Sequence, residues 1–540
     1  MSVAKPLFKP PRAARMPLFG VLRRVVDLAR CANLPRSPAV GELIEIHRET
    51  PLSRREVLRG SVAAMGLGLI NNEATRAAIQ VQPDAPRIAI IGAGITGLNA
   101  AYELKKGGQR AVVYEAGTRT GGRIYTARDL LAPGLTADLG GEFIDRNHRT
   151  MLGLVRRFGL ELIDLDRDRE NAPLREAYFF DGAHHSEAQA VEVFRPLAAR
   201  MEADRDCLED DINFENGVNG CAGRIDRLSI AQYLDRIGAI GWIRKLIDVA
   251  YACEYGLDCD RLSALNLLSL ISTDVSSGHF AIYGESDERY KIKGGSQQVT
   301  NALAAEVEGQ IRLEYRLEAI QSAGNGYRLN FAVPDGQAVE VDADFVIITL
   351  PFSVLRQVAL RVELPAVKRK AIAELGYGTN AKLLAGVHKR RWRERGFSGS
   401  IFSDEPFQSA FDNSRFQGGE AGGLTLFSGG KAGLDVGGGT EAEQIQSLIG
   451  GVDRAFPGVA AALNGKSARF HWPSNPFALG SYACYTPGQW TTIAGCEGLP
   501  VGNLFFAGEH CNFDFSGYMD SGAATGRRAA RGVLARIRRG

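Results

Sequence analysis

The run Arg87 to Ile91 (RIAII) shows no alternation of apolar and polar positions after its first residue, and so predicts a buried parallel strand. Gly92, Gly94 and Gly97 follow it and open a helix that continues through Leu104 to Lys106, where Gly107-Gly108 stops it. A second β-rich run, Ala111 to Tyr114 (AVVY), ends at Glu115, eighteen residues beyond Gly97. Strand, glycine turn, helix, strand and acid at this spacing make a complete βαβ unit. Its glycines let the backbone approach a pyrophosphate at the helix N-terminus, and the terminal carboxylate can accept ribose hydroxyls. Further along, Leu228 to Ala250 carries apolar residues at spacings of three and four, and Ser263 to Ile271 (SALNLLSLI) predicts a buried helix segment. Residues 153–284 therefore read as mainly helical. Residues 361–476 mix strands at Ala381 to His388 and Gly423 to Ser428 with a helix before Pro457, and glycine-rich Gly418 to Gly439 reads as loop and turn. The six arginines of Arg527 to Arg539 read as a solvated helix face.

A length of 540 residues suggests two to four domains, or two large ones interleaved. Hydrophobic residues make up 45% and charged residues 23%, which fits a large folded core. Glycine, 63 residues, is well above the usual fraction of about 7% and signals many tight turns. The formal charge of +2 hides an asymmetry: residues 1–60 hold twelve Lys or Arg against five Asp or Glu. The remainder is slightly acidic, so the body has no basic field for nucleic acid. Eight scattered cysteines without a CxxC pair read as mostly free core thiols, with no metal site expected.

From Ser53 the chain reads Ser-Arg-Arg-Glu-Val-Leu-Arg and then Gly60 to Ile70, an uncharged apolar run of eleven residues. That resembles a twin-arginine export signal; the alternative is a buried helix behind a chance Arg-Arg pair. The run is too short to span a bilayer, and no stable membrane span is expected elsewhere. Residues 1–83 are accordingly taken as a leader. The protein is then periplasmic or secreted, or cytoplasmic if the leader is not a signal.

After Glu115 comes a second glycine turn with a cation, Gly121-Gly122-Arg123, then Asp138-Leu-Gly140-Gly141-Glu142-Phe143. Lys293-Gly294-Gly295-Ser296 and the strand-like Arg312 to Leu317 lie in the centre. Near the C-terminus stand Asn503-Leu-Phe-Phe-Ala-Gly508-Glu509-His510 and Gly517-Tyr518-Met519-Asp520. In this order the motifs resemble those of the flavin-containing amine oxidase family over about 450 residues. The resemblance implies an α/β, Rossmann-like FAD-binding domain assembled from residues 84–152, 285–360 and 477–540. An α+β substrate domain would come from 153–284 and 361–476. It implies FAD contacts for Gly92, Gly94, Gly97, Glu115, Gly122, Arg123, Gly140, Gly141, Leu317, Gly508, Glu509 and Met519, with Arg123 on the diphosphate and Leu317 on the adenine side.

Amine oxidation by a flavin needs a neutral amine in an apolar site and little acid–base apparatus, in keeping with the lack of a nucleophile elbow, an HExxH or a Cys/His dyad. The resemblance assigns Tyr482 and Tyr518 to an aromatic cage for the amine; the alternative is two ordinary core tyrosines. It assigns Lys382, one charge in an apolar strand, to the N5 side of the flavin, where it assists reoxidation by O2; the alternative is an edge-strand lysine facing solvent. His510 is read as a packing residue. Phe143 is a substrate-lining residue near the place where amino-acid-binding relatives put an arginine, and with Glu142 beside it favours amines over L-amino acids. Counting from Pro476 puts Ser481 at the position of a cysteine flavin tether and turns Cys484 to the opposite face, so the FAD is expected to be non-covalent. The expected reaction takes a small-molecule amine to an imine with O2 reduced to H2O2. L-amino acid oxidation is the rival within the class, and a non-catalytic or partner-coupled FAD protein the rival outside it. The oligomeric state is open, a homodimer included.

Overall fold

The computed structural model describes residues 85–167, 174–209, 211–273, 282–283 and 286–539. The leader, with its export signal, lies outside the described residues.

Ile88–Ile91 forms a fully buried strand at the centre of a five-stranded parallel sheet. Ile90 is in register with Ile347 of Phe345–Ile348 on one side and Val113 of Ala111–Tyr114 on the other. Leu504–Phe506 and Ile311–Arg312 complete the two ends. The strands come from three separated stretches of chain, so the sheet closes only when both termini and the middle meet. Both faces of the sheet are covered, which is why its strands are continuous apolar runs. On one face the helix Ile95–Lys106 packs against the C-terminal helix Met519–Ile537, where Asn99 Nδ2 donates to Ala523 O at 2.7 Å. A Cβ on Gly526 would lie 2.1 Å from Thr96 O, so glycine sets the closeness of this crossing.

A seven-stranded mixed sheet forms the second layer, in the order Leu463–His471, Ala381–Val387, Gly422–Ser428, Ser409–Asp412, Phe397–Ser403, Arg175–Phe180 and Ala183–His185. Residues Ala381 to Val387 are all buried, with paired strands on both sides. A helical cluster including Glu187–Arg205, Gly241–Tyr255 and Ala264–Leu270 forms a further core.

Several expectations need correction. Leu228 to Ala250 is two helices, Ile230–Arg236 and Gly241–Tyr255, because Gly238 and Gly241 take left-handed φ values of +73° and +69° between them. Arg312 to Leu317 is not one strand. Glu314, at φ +63°, breaks it, so Ile311–Arg312 joins the parallel sheet and Arg316–Ala323 starts a separate four-stranded sheet. Gly418 to Gly439 contains the strand Gly422–Ser428 and the short helix Gly430–Asp435. Residues 153–284 also supply two strands to the mixed sheet. Among the cysteines, Cys253, Cys259, Cys484, Cys496 and Cys511 are buried and free as expected, whereas Cys207 and Cys221 are joined in a disulfide.

Candidate active site

The first glycine turn is closed by contact. A Cβ on Gly97 would lie 1.9 Å from Gly92 O, and one on Gly92, at φ +101°, would lie 2.6 Å from Thr349 Oγ1. Gly94 differs: nothing would stand nearer to its Cβ than the Cα of Gly122, 3.9 Å away. The second glycine turn is docked directly on the first, Gly121 N donating to Ala93 O at 2.8 Å. Among the described residues no side chain caps the helix that begins at Ile95, and its first turn holds no acid. Open space at Gly94, uncapped N–H groups and the positive end of a helix dipole together suit a dinucleotide diphosphate. Glu115 braces this turn, with Oε2 accepting from Ala93 N at 2.7 Å and Oε1 from Gly117 N at 2.8 Å. Each oxygen keeps a lone pair that a ribose hydroxyl can use. Leu317 is buried in the apolar core beside Phe331 and Tyr114.

Arg123 ties the two ends of the chain together. Its Nη1 donates to Glu509 Oε1 at 2.8 Å and to Ser481 O at 2.6 Å. Glu509 also accepts from Ala483 N at 3.3 Å and Gly517 N at 3.1 Å, so this one carboxylate positions the chain next to both tyrosines. Gly508 is held by Thr525, which exchanges hydrogen bonds with its N–H and carbonyl. Close approach governs Gly140 and Gly141 as well: a Cβ on the first would lie 1.9 Å from Arg123 O, and on the second 2.8 Å from Met519 Cγ. Among the described residues neither ring nitrogen of His510 has a hydrogen-bond partner; burial first, then Arg123 and Lys368, push its pKa down to about 3, and its ring packs on Phe352. That contact fits a packing role for His510.

Lys382 lies in an interior strand of the mixed sheet, which removes the edge-strand alternative. Its Nζ donates to Asp138 O and Gly140 O, both at 2.9 Å, and to Glu142 Oε2 at 2.7 Å. The other Glu142 oxygen accepts from Lys291 Nζ at 2.5 Å, and Lys291 also donates to Asn413 O. The three side chains are buried, Glu142 at 4% exposure and each lysine at 6%. Burial pushes the Glu142 carboxyl up, but the two ammonium groups outweigh it and hold its pKa below the ordinary glutamate value. Asp138 lies alongside, its pKa pushed up to about 6 by burial and then by Glu142. Phe143 meets Phe411 edge-on at 5.3 Å, and Lys382 Nζ stands 5.6 Å from the centre of the Phe411 ring. Glu142, expected beside Phe143 to disfavour a substrate carboxylate, has its charge clamped by two lysines.

The hydroxyl of Tyr482 donates to Cys253 O at 3.0 Å, and that of Tyr518 lies 3.2 Å from Ser286 Oγ. His148 packs edge-on against Tyr518, ring centres 5.0 Å apart. The sequence did not single out Lys291, Asp145, Ser286 or Glu288. None of the four belongs to a motif, and the Tyr-Lys-Ile-Lys alternation at 290–293 would put Lys291 on the polar face with the exposed Lys293, although Lys291 is buried.

The family model for flavin containing amine oxidoreductases matches residues 95–534, so the chain belongs to that family. An L-amino acid oxidase of Cerastes cerastes is 25% identical over 476 residues, covering 84% of this chain and 88% of the relative. Among solved structures, cyclohexylamine oxidase from Brevibacterium oxydans aligns with a TM-score of 0.73 at 23% identity, over 84% of this chain and all of that one. Wild-type putrescine oxidase bound to putrescine aligns with a TM-score of 0.68 at 20% identity, over 84% and 99% of the two chains. The chain is thus a mixed α/β flavin oxidoreductase of amine oxidase architecture.

Proposed function

We propose that the protein is an FAD-dependent amine oxidase that converts a primary or secondary amine to an imine, which water hydrolyses, with O2 taken to H2O2. The observation that carries this reading is Lys382: a lone lysine in an otherwise apolar interior strand, ending on the carbonyls of the Asp138–Gly140 motif. Residues 84–152, 285–360 and 477–540 would form the Rossmann-like cofactor domain, and 153–284 with 361–476 the substrate side. Bound FAD would supply the two-electron oxidant. Gly94, Gly122 and the N–H groups at the start of the first helix would hold its diphosphate, and Glu115 its ribose. Tyr482 and Tyr518, fixed by their hydroxyls, would present ring faces to an incoming amine, which suits a cation as it approaches.

Amines are favoured over L-amino acids because Phe143 gives an α-carboxylate no bidentate partner. Glu142 adds nothing to that preference, being neutralised by Lys291 and Lys382. The expected result in a peroxide-coupled assay is a higher kcat/KM for an amine than for the L-amino acid of the same side chain. A strong preference for the amino acid would reverse the assignment.

The flavin is proposed to be non-covalent. Ser481 Oγ donates to Asn380 Oδ1 at 2.6 Å, and serine lacks the nucleophilicity a thioether link requires. Cys484 sits among Tyr255, Asn266 and Trp490, where burial pushes its thiol pKa far up and suppresses the reactive thiolate. Acid precipitation is therefore expected to leave the yellow colour in the supernatant. Flavin retained in the pellet and lost in Cys484→Ala would contradict this. Export to an oxidising compartment is proposed as well; the Cys207–Cys221 disulfide supports it, since such bonds persist there and are rare in the cytosol.

A further inference from the structure

Lys291 belongs to none of the motifs, yet it ends on the same carboxylate as Lys382. It stands in the strand Tyr290–Ile292, which pairs on one side with Leu162–Asp164. On the other side Tyr290 exchanges backbone hydrogen bonds with Ile144 at 2.8 and 2.9 Å. That register brings Lys291 Nζ to Glu142 Oε1 at 2.5 Å, to Asn413 O at 3.1 Å and to within 5.7 Å of the centre of the Phe143 ring. Lys382 takes the other Glu142 oxygen at 2.7 Å and would neutralise it alone. A second buried ammonium costs desolvation that one carboxylate does not call for.

Asp138 supplies the reason for a second cation. Its carboxylate accepts from Thr126 Oγ1 at 2.5 Å, Ser296 N at 3.1 Å and Ser296 Oγ at 3.4 Å, all neutral donors, while its backbone carbonyl accepts from Lys382. Two carboxylates, Asp138 and Glu142, thus share the buried cluster with two ammonium groups, Lys291 and Lys382. Burial first, then Glu142, push the Asp138 pKa up to about 6, against the downward pull of Lys291, Thr126 and Lys382. Without Lys291, one lysine would face both carboxylates and the cluster would carry net negative charge beside Gly140. Electron uptake by a bound flavin adds negative charge, and protein charges near the ring set how readily that happens.

We propose that Lys291 is a positioning residue for the oxidase: through Glu142 it keeps the two buried carboxylates from cancelling the Lys382 ammonium. The proposal rests on the amine oxidase reading above and adds a residue to it. A pH signature follows. In wild type the cluster is balanced above about pH 6, where Asp138 is ionised. Removing Lys291 removes a field that favours the ionised form, so the carboxylate pair holds a proton to higher pH. Below that pH the proton stands in for Lys291; above it the cluster is net negative.

The test follows the flavin midpoint potential and the rate of reoxidation by O2, from mildly acid to alkaline pH, in wild type, Lys291→Met, Lys291→Gln and Lys291→Arg. In the Met and Gln variants reoxidation is expected to fall at least about tenfold as pH rises, with its break about one pH unit or more above that of wild type. At the alkaline end their potential is expected to lie about 30 mV or more below wild type, a tenfold shift in a two-electron equilibrium. Lys291→Arg keeps the charge and is expected to stay near wild type. Gln keeps a donor for Glu142, so it separates lost charge from lost packing and decides if the Met variant sheds its flavin. An unchanged break and potential in these variants, a loss that Arg shares equally, or loss of flavin from both Met and Gln variants overturns the inference and leaves the amine oxidase reading standing. A flavin that no amine reduces overturns that reading, and the potentials then still decide what Lys291 does to the cofactor site.

Discussion

Replacing Lys382 with methionine is expected to slow reoxidation of the reduced flavin by O2 by about a hundredfold, the loss usual when one preorganised charge is removed from a reaction centre. FAD binding and anaerobic reduction by substrate should change far less. The reason lies in where the lysine ends. Its Nζ is anchored by Asp138 O, Gly140 O and Glu142 Oε2 at the glycine motif, with no freedom to reach solvent. Methionine fills similar volume and removes the charge. Lys291 remains to pair with Glu142, so the variant should still fold. Stopped-flow traces that separate the two half-reactions are the check, and an unchanged oxygen rate would remove Lys382 from the mechanism.

The largest stability effect is expected for Glu142→Leu. A buried ion pair contributes little net stability, but removing one partner leaves the other charge uncompensated and costs about 3–5 kcal/mol. Here one carboxylate serves two ammonium groups, so its removal strands both Lys291 and Lys382, with only backbone carbonyls as partners. The unfolding midpoint of Glu142→Leu should fall well below that of Lys382→Met, and Glu142→Leu combined with Lys291→Leu should recover part of the loss. A single variant as stable as wild type would mean that the trio does not carry this buried charge.

Much of the cofactor-side architecture was legible because it is local. The βαβ unit at Arg87–Glu115 is written in one unbroken stretch whose glycines act on residues a few positions away. Local signals also misled. Leu228 to Ala250 keeps helical spacing across Gly238 and Gly241, and only the backbone shows two helices there. Periodicity likewise could not reveal that Glu314 hands the chain from one sheet to another. The candidate site was half legible: Lys382 stood out as a lone charge in an apolar strand, but its carboxylate partner lies 240 residues away. Read from sequence, Glu142 was an acid beside Phe143 that disfavours a carboxylate; in the fold it is the counter-ion of two lysines. Asp145 gave no signal at all, because it reaches Tyr518 through Ser286, across the fold.

The central claim is that this fold holds a flavin which amines reduce and O2 reoxidises. The most direct measurement is the visible spectrum of the purified yellow protein under anaerobic conditions as an amine is added, followed by admission of air. Bleaching of the oxidised flavin band by the amine, and its return with formation of peroxide, is the result expected. A spectrum that no amine bleaches, or a bleached flavin that air fails to restore, would contradict the account.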